Sequence, residues 1–273
     1  MNAELLIMFT LDCERAYLHA HPERELTVEE LQRYDEALSR RVAGVPAQYI
    51  TGHQEFWGVD LIVSPAVLIP RPETEHVVEV VLGLISGTNS NQSQHQQPRT
   101  GVSRPRFVDV GTGSGAIALA LAKELPTAQI QATDISPEAL EVARANAARH
   151  ELTSRIEFHQ ADLLGGFSPE VFDFVVSNPP YVGESEEDSV QLKVRKFEPR
   201  SAVFAGPTGL EIIERLIPQA RAVLRPGGWL VFEISGTIAL GVRHLLAGWA
   251  EVELTNDLQG IARVAAARKP SSG

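Results

Sequence analysis

The chain has 273 residues, a formal net charge of −11 at pH 7, 44% hydrophobic residues and a single cysteine. This length and apolar content suit one large domain with a smaller one and exclude a disordered chain. The surplus of acidic residues disfavours nucleic acid as a partner, because nucleic acid is bound through clustered Lys and Arg. The apolar run from Leu5 to Leu11 is far too short to span a bilayer, so we expect a cytoplasmic protein without a membrane anchor.

The first 48 residues carry a helical pattern. Thr27 and Glu30 have the spacing of a capping box, and the helix that they open continues through Leu31, Leu38 and Val42. Residues 1–48 are therefore predicted to form a small helical domain.

Residues 49–75 are predicted to be a connector made of a β-hairpin and a Pro-rich turn. The segment from Tyr49 to Val63 is rich in aromatic and β-branched residues and is broken by Gly52 and Gly58. Thr74 follows the Pro-rich turn and is predicted to cap the next helix.

Residues 76–106 are predicted to contain that helix and then a disordered linker. The helix runs through Val77, Val81 and Ile85, and the composition from Ser86 to Arg106 then changes to Ser, Asn, Gln, Gly and Pro.

From residue 107 to residue 273, short apolar runs alternate with helical stretches. The alternation predicts repeated βα units, hence an α/β fold with a mostly parallel sheet. Ser136 is predicted to cap one of the helices, with Pro137 in its first turn. The predicted strands are Phe107–Val110, Ile130–Thr133, Ile156–His159, Phe172–Val176 and Trp229–Ile234.

A glycine-rich turn follows the first of these strands and predicts a ligand site. Its residues are Gly111, Thr112, Gly113, Ser114 and Gly115. Such turns are shared by nucleotide sites and by some structural turns, so alone they decide little. Asp134 strengthens the interpretation, because it ends the next strand about twenty residues later, where a carboxylate can bind ribose hydroxyls. The glycine spacing differs from the dinucleotide fingerprint and no Gly-Lys-Ser/Thr follows, so a cofactor without phosphates is favoured.

Asp162 and Leu163 follow the third strand of this region and place a polar acceptor beside an apolar surface. That pairing suits an adenine ring, and the less favoured alternative is that Asp162 is only a turn residue. The histidines show no spacing typical of metal ligands, so no metal site is predicted.

The most specific motif is Asn178-Pro179-Pro180-Tyr181, directly after the strand Phe172–Val176. The two prolines predict a rigid loop with outward carbonyl groups, Asn178 adds a side-chain acceptor, and Tyr181 adds a flat face for stacking. These acceptors suit a planar NH2 group, whose nitrogen is a poor nucleophile that needs accurate positioning.

In these residues the chain resembles the class I S-adenosylmethionine-dependent methyltransferases. It resembles more closely the peptide chain release factor N5-glutamine methyltransferase family, from about Leu5 to Val264. The closer resemblance is carried by Val45–Gly52, Glu55–Gly58, Leu68–Glu75 and Glu198–Ser201.

The resemblance implies a Rossmann-like class I fold with a helical N-terminal domain that grips class 1 release factors, and S-adenosylmethionine as cofactor. It implies that Gly111 to Gly115, Asp134, Asp162, Leu163 and Asn178 hold the cofactor. It implies that Asn178, Pro179, Pro180 and Tyr181 hold the glutamine of a Gly-Gly-Gln loop, with Asn178, Pro179 and Tyr181 in the catalytic role. Arg71 and Glu73 are implied as supporting residues of the substrate pocket.

Two features depart from the family pattern. The helical region begins late, and Glu233-Ile-Ser-Gly236 stands where Glu-Ile-Gly is expected.

Two other reactions remain open at this point. One is N5 methylation of a glutamine in a ribosomal protein, and the other is methylation of adenine N6 in nucleic acid, because an Asn-Pro-Pro-Tyr loop serves an exocyclic NH2 group equally well. A cofactor-binding module without catalytic activity is a third reading, against which the intact Asn178 and Pro179 stand.

Overall fold

The computed structural model describes residues 2–87 and 104–271. Four helices form an N-terminal unit, and the third begins at the predicted capping box: Thr27 Oγ1 accepts from Glu30 N at 3.2 Å, while Glu30 Oε2 accepts from Thr27 N at 2.9 Å. Leu6, Ala37 and Ile50 make its small core. The four helices are α1 (Asn2–Leu11), α2 (Arg15–Ala20), α3 (Val28–Val42) and α4 (Ala47–Thr51).

The connector contains the predicted hairpin, but the hairpin is shorter than expected. Its strands are β1 (His53–Phe56) and β2 (Val59–Ile62), which pair antiparallel. Tyr49 and Ile50 belong instead to α4, which ends at Gly52 in a left-handed conformation (φ 78°). The prediction of strand at these two residues is wrong because their apolar side chains pack against helical and connector residues rather than across a sheet.

Helix α5 (Glu75–Ser86) follows the Pro-rich turn, with Val77, Val78 and Val81 buried. Most of the predicted linker lies outside the described residues. Its two ends belong to regular elements, since Ser86 is the last residue of α5 and Arg106 is the first residue of the next strand.

The α/β region is built on a seven-stranded sheet, as the alternating pattern predicts. Each of the five predicted strands is present with bounds shifted by a few residues. The elements are β3 (Arg106–Val110), α6 (Ala116–Glu124), β4 (Gln129–Asp134), α7 (Pro137–Arg149), β5 (Ile156–Gln160), β6 (Phe172–Ser177), β7 (Val182–Gly183), α8 (Leu192–Phe197), α9 (Arg200–Val203), β8 (Phe204–Gly206), α10 (Glu211–Val223), β9 (Leu224–Glu233), α11 (Ala239–Leu245), β10 (Ala250–Asn256) and β11 (Ala262–Arg268).

The order across the sheet is β10-β11-β9-β6-β3-β4-β5. The five strands from β9 to β5 run parallel, and β10 and β11 add an antiparallel pair at one edge. Strands β7 and β8 pair separately beside the sheet.

Two layers of helix cover the sheet. Successive residues of β3 point to opposite faces, so Phe107 packs with α5 and α6 while Val108 packs with α10 and α11. Ser136 caps α7 as predicted, because its Oγ accepts from Ala139 N at 3.1 Å. In residues 2–87 and 104–271, no helix is both long enough and apolar enough to cross a membrane.

Candidate active site

A cavity of about 330 Å³ opens at the carboxyl ends of β3, β4 and β6. Strands β4 and β5 lie on one side of β3, whereas the next strand in the chain, β6, lies on the other side. The order of the strands therefore reverses at β3, and the cavity lies at this topological switch point. The site residues predicted from the sequence that line it are Gly111, Thr112, Gly113, Ser114, Asp134, Asp162, Leu163, Asn178 and Pro180.

The three glycines of the turn all have positive φ, but they serve different purposes. A Cβ atom at Gly111 (φ +69°) or Gly113 (φ +55°) would meet nothing within 4 Å, so these two positions keep the space above the turn open. A Cβ atom at Gly115 (φ +85°) would lie 2.6 Å from Leu119 Cδ1. Gly115 is not among the residues that line the cavity, and its small size lets α6 start close to the sheet.

Asp109, near the end of β3, stabilises the glycine-rich turn through hydrogen bonds. Its Oδ2 accepts from Thr112 Oγ1 at 2.7 Å and from Ala118 N at 3.2 Å, which ties the turn to the first residues of α6. Burial raises the pKa of Asp109 to about 7 against the effect of these hydrogen bonds. Its Oδ1 is buried and makes no hydrogen bond within the described part of the chain.

Asn146, on α7, joins the glycine turn to the hairpin. Its Nδ2 donates to Ser114 O at 2.9 Å and to Ile62 O at 3.0 Å, and its Oδ1 accepts from Ile62 N at 2.7 Å. The sequence analysis did not single out Asn146. The sequence did offer one indication, because Asn146 is the single polar residue among the alanines and the leucine on the buried face of α7.

Asp134 ends β4 at the edge of the cavity. Its Oδ2 accepts from Gly113 N at 2.9 Å and its Oδ1 accepts from Ser136 N at 2.9 Å. Burial raises the pKa of Asp134, while these backbone donors counteract the rise. Each oxygen of the carboxylate retains a lone pair for a further donor, as the ribose interpretation requires.

The Asp162 end of the cavity is partly open to solvent. The Asp162 carboxylate pairs with Arg215 Nη2 at 2.5 Å, and both side chains are about half exposed. Leu163 has φ +55°, and its carbonyl accepts from Thr133 Oγ1 at 3.0 Å. Since Arg215 is already paired, this lining suits a ligand with hydroxyl and amino donors better than one with phosphates.

The Asn178-Pro-Pro-Tyr loop follows the last residue of β6, Ser177, whose Oγ donates to Val110 O at 2.7 Å. Asn178 and Pro180 line the cavity, whereas Pro179 is buried and Tyr181 packs partly into the core under α10 and α11. Asn178 Nδ2 donates to Thr74 Oγ1 at 2.9 Å. Tyr181 and Pro179 therefore stand behind the cavity wall.

Thr74 does not cap α5, and that prediction is wrong. The residue has helical φ and ψ and its side chain makes no bond to the backbone of the helix. Its Oγ1 instead donates to Glu233 Oε2 at 2.5 Å, while Tyr181 OH donates to Glu233 Oε1 at 2.8 Å. The position of Thr74 just before a helix suggested a cap, but its hydroxyl instead bonds to a side chain that is 159 residues away in the chain.

Glu233 was noticed in the sequence only through the motif that departs from the family. It is the last residue of β9 and is 2% exposed. Burial raises its pKa, and the hydrogen bonds from Thr74 and Tyr181 act in the opposite direction. An acidic residue that ends an otherwise apolar central strand was the available signal.

Arg71 and Glu73 lie outside the cavity lining. Arg71 Nη2 pairs with Glu198 Oε1 at 2.5 Å, and Glu198 Oε2 accepts from Ile69 N at 3.1 Å, so Glu198 fastens the Pro-rich turn. Glu73 is exposed. Their supporting role in the substrate pocket stays a prediction.

A larger and more open groove of about 600 Å³ lies elsewhere, beside β4 and β5. Its lining includes Arg106, Gln129, His159 and Phe167, and none of the site residues predicted from the sequence. Within residues 2–87 and 104–271, no group of three or more His, Cys, Asp and Glu side chains is arranged to hold a metal ion.

The chain matches two family models and a set of named proteins. Residues 1–52 match the PrmC N-terminal domain and residues 95–196 match the methyltransferase small domain. A release factor glutamine methyltransferase of Koribacter versatilis is 54% identical over 100% of this chain and 92% of its own length. One of Rhodopirellula baltica is 38% identical over 98% of this chain and 89% of its own length. Among solved structures, a methyltransferase from Pyrococcus furiosus shares the fold with a TM-score of 0.55 at 17% identity, over 88% of this chain and 98% of that chain.

Proposed function

The chain belongs to the release factor glutamine methyltransferase family, and from this premise we propose that it methylates N5 of the glutamine in the Gly-Gly-Gln motif of class 1 peptide chain release factors. It is a class I methyltransferase that uses S-adenosylmethionine. Family membership supplies the reaction class, and the geometry of the cavity supports the choice of acceptor.

The chain's own residues fit this cofactor. Asp134 offers carboxylate oxygens to the two ribose hydroxyls, and Gly111 and Gly113 leave room for the methionine part above the turn. Asp162 and Leu163 offer an acceptor and an apolar surface to the adenine.

The observation that carries the substrate assignment is the Asn178 carboxamide on the cavity wall, with its nitrogen held by Thr74. The carboxamide oxygen is then free to accept one hydrogen of a substrate amide. We assign the other hydrogen to the backbone carbonyl of Pro179, which the substrate can reach only between Asn178 and Pro180, since Pro179 itself is buried. When both hydrogens of the substrate amide are bound in this way, the plane of the amide is fixed and one face of its nitrogen can be directed toward the cofactor.

S-adenosylmethionine supplies a methyl group on a positively charged sulfur, which even a weak nucleophile accepts. Because an amide nitrogen is weak, Asn178 and Pro179 contribute chiefly by orientation, and orientation of this kind is worth up to roughly 7–11 kcal/mol. No base is needed before the attack, since the nitrogen becomes acidic once the new carbon–nitrogen bond forms and its proton then leaves to water.

The N-terminal unit of helices α1 to α4 is proposed to grip the release factor. It carries seven of the twelve large apolar side chains that are exposed in the described part of the chain, and such a concentration is typical of a partner surface. The seven are Leu5, Phe9, Tyr17, Val28, Leu31, Leu38 and Val42.

Transfer of labelled methyl from S-adenosylmethionine to a release factor tests the proposal. A matched release factor with the target glutamine replaced by alanine and adenine-containing DNA serve as controls. Label on the native release factor alone supports the proposed reaction and site. Label on DNA, or on a ribosomal protein but not on the release factor, would replace it with one of the two alternatives.

A further inference from the structure

Three side chains from distant segments form a line of hydrogen bonds that runs from the buried Glu233 through the buried Thr74 to the partly buried Asn178. Glu233 ends β9, Thr74 precedes α5, and Asn178 follows β6. The contacts are 2.5 Å from Thr74 Oγ1 to Glu233 Oε2 and 2.9 Å from Asn178 Nδ2 to Thr74 Oγ1. Thr74 is 4% exposed and Glu233 is 2% exposed, so water does not compete for the bond between them.

With Glu233 ionised, the chemistry of the three groups fixes the direction of every bond. A carboxylate only accepts, so Thr74 must give its single hydroxyl hydrogen to Glu233. The Thr74 oxygen then has only lone pairs left, and Asn178 must offer it an N–H. The Asn178 oxygen is consequently turned away from Thr74, toward the cavity that Asn178 lines.

Without the carboxylate this direction is lost. A Thr74 hydroxyl that is free to donate can pair equally well with the Asn178 oxygen, and a half-turn of the carboxamide then presents its NH2 group to the cavity. An NH2 group in that place repels the hydrogens of a substrate amide and attracts a carboxylate.

Glu233 is itself held in place. Tyr181 OH donates to its second oxygen at 2.8 Å. Burial raises the pKa of Glu233, while the hydrogen bonds from Thr74 and Tyr181 and the charge of Arg263 oppose the rise. With a hydroxyl donor on each oxygen, the carboxylate has no freedom to turn away from Thr74.

We propose that Glu233 is a positioning residue, which acts through Thr74 to keep the oxygen of the Asn178 carboxamide toward the substrate and so selects glutamine over glutamate. This inference rests on the proposed function and adds the origin of its selectivity. Glu233 does not touch the substrate in this scheme, and Thr74, which borders the cavity beside Asn178, acts through its hydrogen bonds to the two other side chains.

Thr74→Val and Thr74→Ser form a matched pair for the test, because valine has the shape of threonine without the hydroxyl and serine keeps the hydroxyl. Thr74→Val is expected to lower kcat on the release factor roughly ten- to hundred-fold, because it removes both hydrogen bonds of the Thr74 hydroxyl and leaves the Asn178 carboxamide unoriented. Thr74→Ser is expected to stay within about three-fold of wild type, and the cofactor Kd of both variants is expected to change little. Full kcat in Thr74→Val would overturn the proposal.

The preference for glutamine over glutamate shows whether Thr74 and Glu233 position Asn178 or only stabilise the fold. A release factor with glutamate in place of the target glutamine is used as an inhibitor, and its Ki is compared with the KM of the native one. Thr74→Val and Glu233→Leu are both expected to reduce this preference by about ten-fold, whereas Thr74→Ser keeps it. A loss of activity at unchanged preference would assign both residues to stability only, and a change in Thr74→Val alone would remove Glu233 from the scheme.

A measurement on the wild-type protein covers the case in which the variants do not fold. With asparagine labelled by ¹⁵N, nuclear Overhauser contacts are expected between the side-chain NH2 of Asn178 and the side chain of Thr74. Their absence would mean that the oxygen faces Thr74 and would overturn the inference. This result does not depend on the substrate, so a wild-type enzyme that fails to methylate release factors would defeat the proposed function separately.

Discussion

At the scale of single residues, Asn178 and Asp134 border the same cavity and have separable tasks. Asn178→Ala removes the acceptor for the substrate amide, and we expect kcat to fall by about two orders of magnitude or more. Cofactor affinity, measured by isothermal titration calorimetry, should stay within a few-fold, because we propose that the glycine turn and Asp134 hold most of the cofactor. Near-normal turnover would remove Asn178 from the catalytic role.

Asp134→Ala is expected to produce the opposite pattern. It removes the ribose acceptor together with the bonds to Gly113 N and Ser136 N, so the cofactor Kd should rise about ten- to hundred-fold. Asp162→Ala is the matched comparison and should have a smaller effect, since that carboxylate is half exposed and already paired with Arg215. Equal effects in calorimetry would contradict the assignment of Asp134 to the ribose.

Asp109 makes the stability of the protein depend on pH. Burial raises its pKa to about 7 from an ordinary value of 3.8. Between these values the folded chain keeps a proton that the unfolded chain has released, so the free energy of unfolding falls as the pH rises, by roughly 1.4 kcal/mol per pH unit from this group. Asp109→Asn does not ionise, and the wild type should lose stability relative to it between pH 5 and pH 7. Urea unfolding at several pH values measures the gap, and a constant gap would refute the prediction.

At the scale of elements, the junction between the glycine turn and α6 depends on the absence of a side chain at Gly115. Gly115→Ala suffers from its positive φ and from a contact of 2.6 Å with Leu119 Cδ1. Gly260→Ala has a similar φ of +78° and meets nothing within 4 Å, so it measures the backbone cost alone, about 1–2 kcal/mol. Gly115→Ala should be the less stable variant by roughly another 1–3 kcal/mol in thermal unfolding. Equal losses would show that α6 shifts to make room.

The elements that could be predicted from sequence are those whose signals are local. The capping box at Thr27 and the cap at Ser136 depend on residues three positions away, and the buried strands are read from apolar runs. The antiparallel strands β10 and β11 were not predicted, because β10 is only partly buried and β11, although buried, is rich in alanine and has no strong strand signal.

The candidate site likewise contains residues that a local sequence pattern predicts and residues that only the tertiary structure shows. The glycine turn, Asp134 and Asn178 stand at positions that a βα pattern predicts to converge, and the structure places them on one cavity. Thr74, Asn146 and Glu233 matter through partners that are 32 to 159 residues away in the chain, and no local pattern reports such pairing.

At the scale of the whole molecule, the helical unit and the sheet are expected to contribute separately to the reaction. Phe9→Ser removes an exposed apolar side chain from α1 and should raise the KM for the release factor by about ten-fold, with the cofactor Kd unchanged. Leu240→Ser, an equally crude change at a side chain of α11 that is 75% exposed, is the control. A KM that rises equally in both variants would contradict a gripping role for the helical unit.

Thr74 also belongs to the segment that joins the helical unit to the sheet, and Asn178 touches it from the side of the cavity. Thermodynamic linkage is reciprocal: any free energy that a bound amide adds to the bonds among Asn178, Thr74 and Glu233 is added equally to the attachment of that segment. Binding of the substrate amide at Asn178 and the stability of the Thr74 segment are therefore thermodynamically coupled. If Asn178 holds the glutamine as proposed, we expect the two parts of the enzyme to resist separation most strongly while the glutamine is in place.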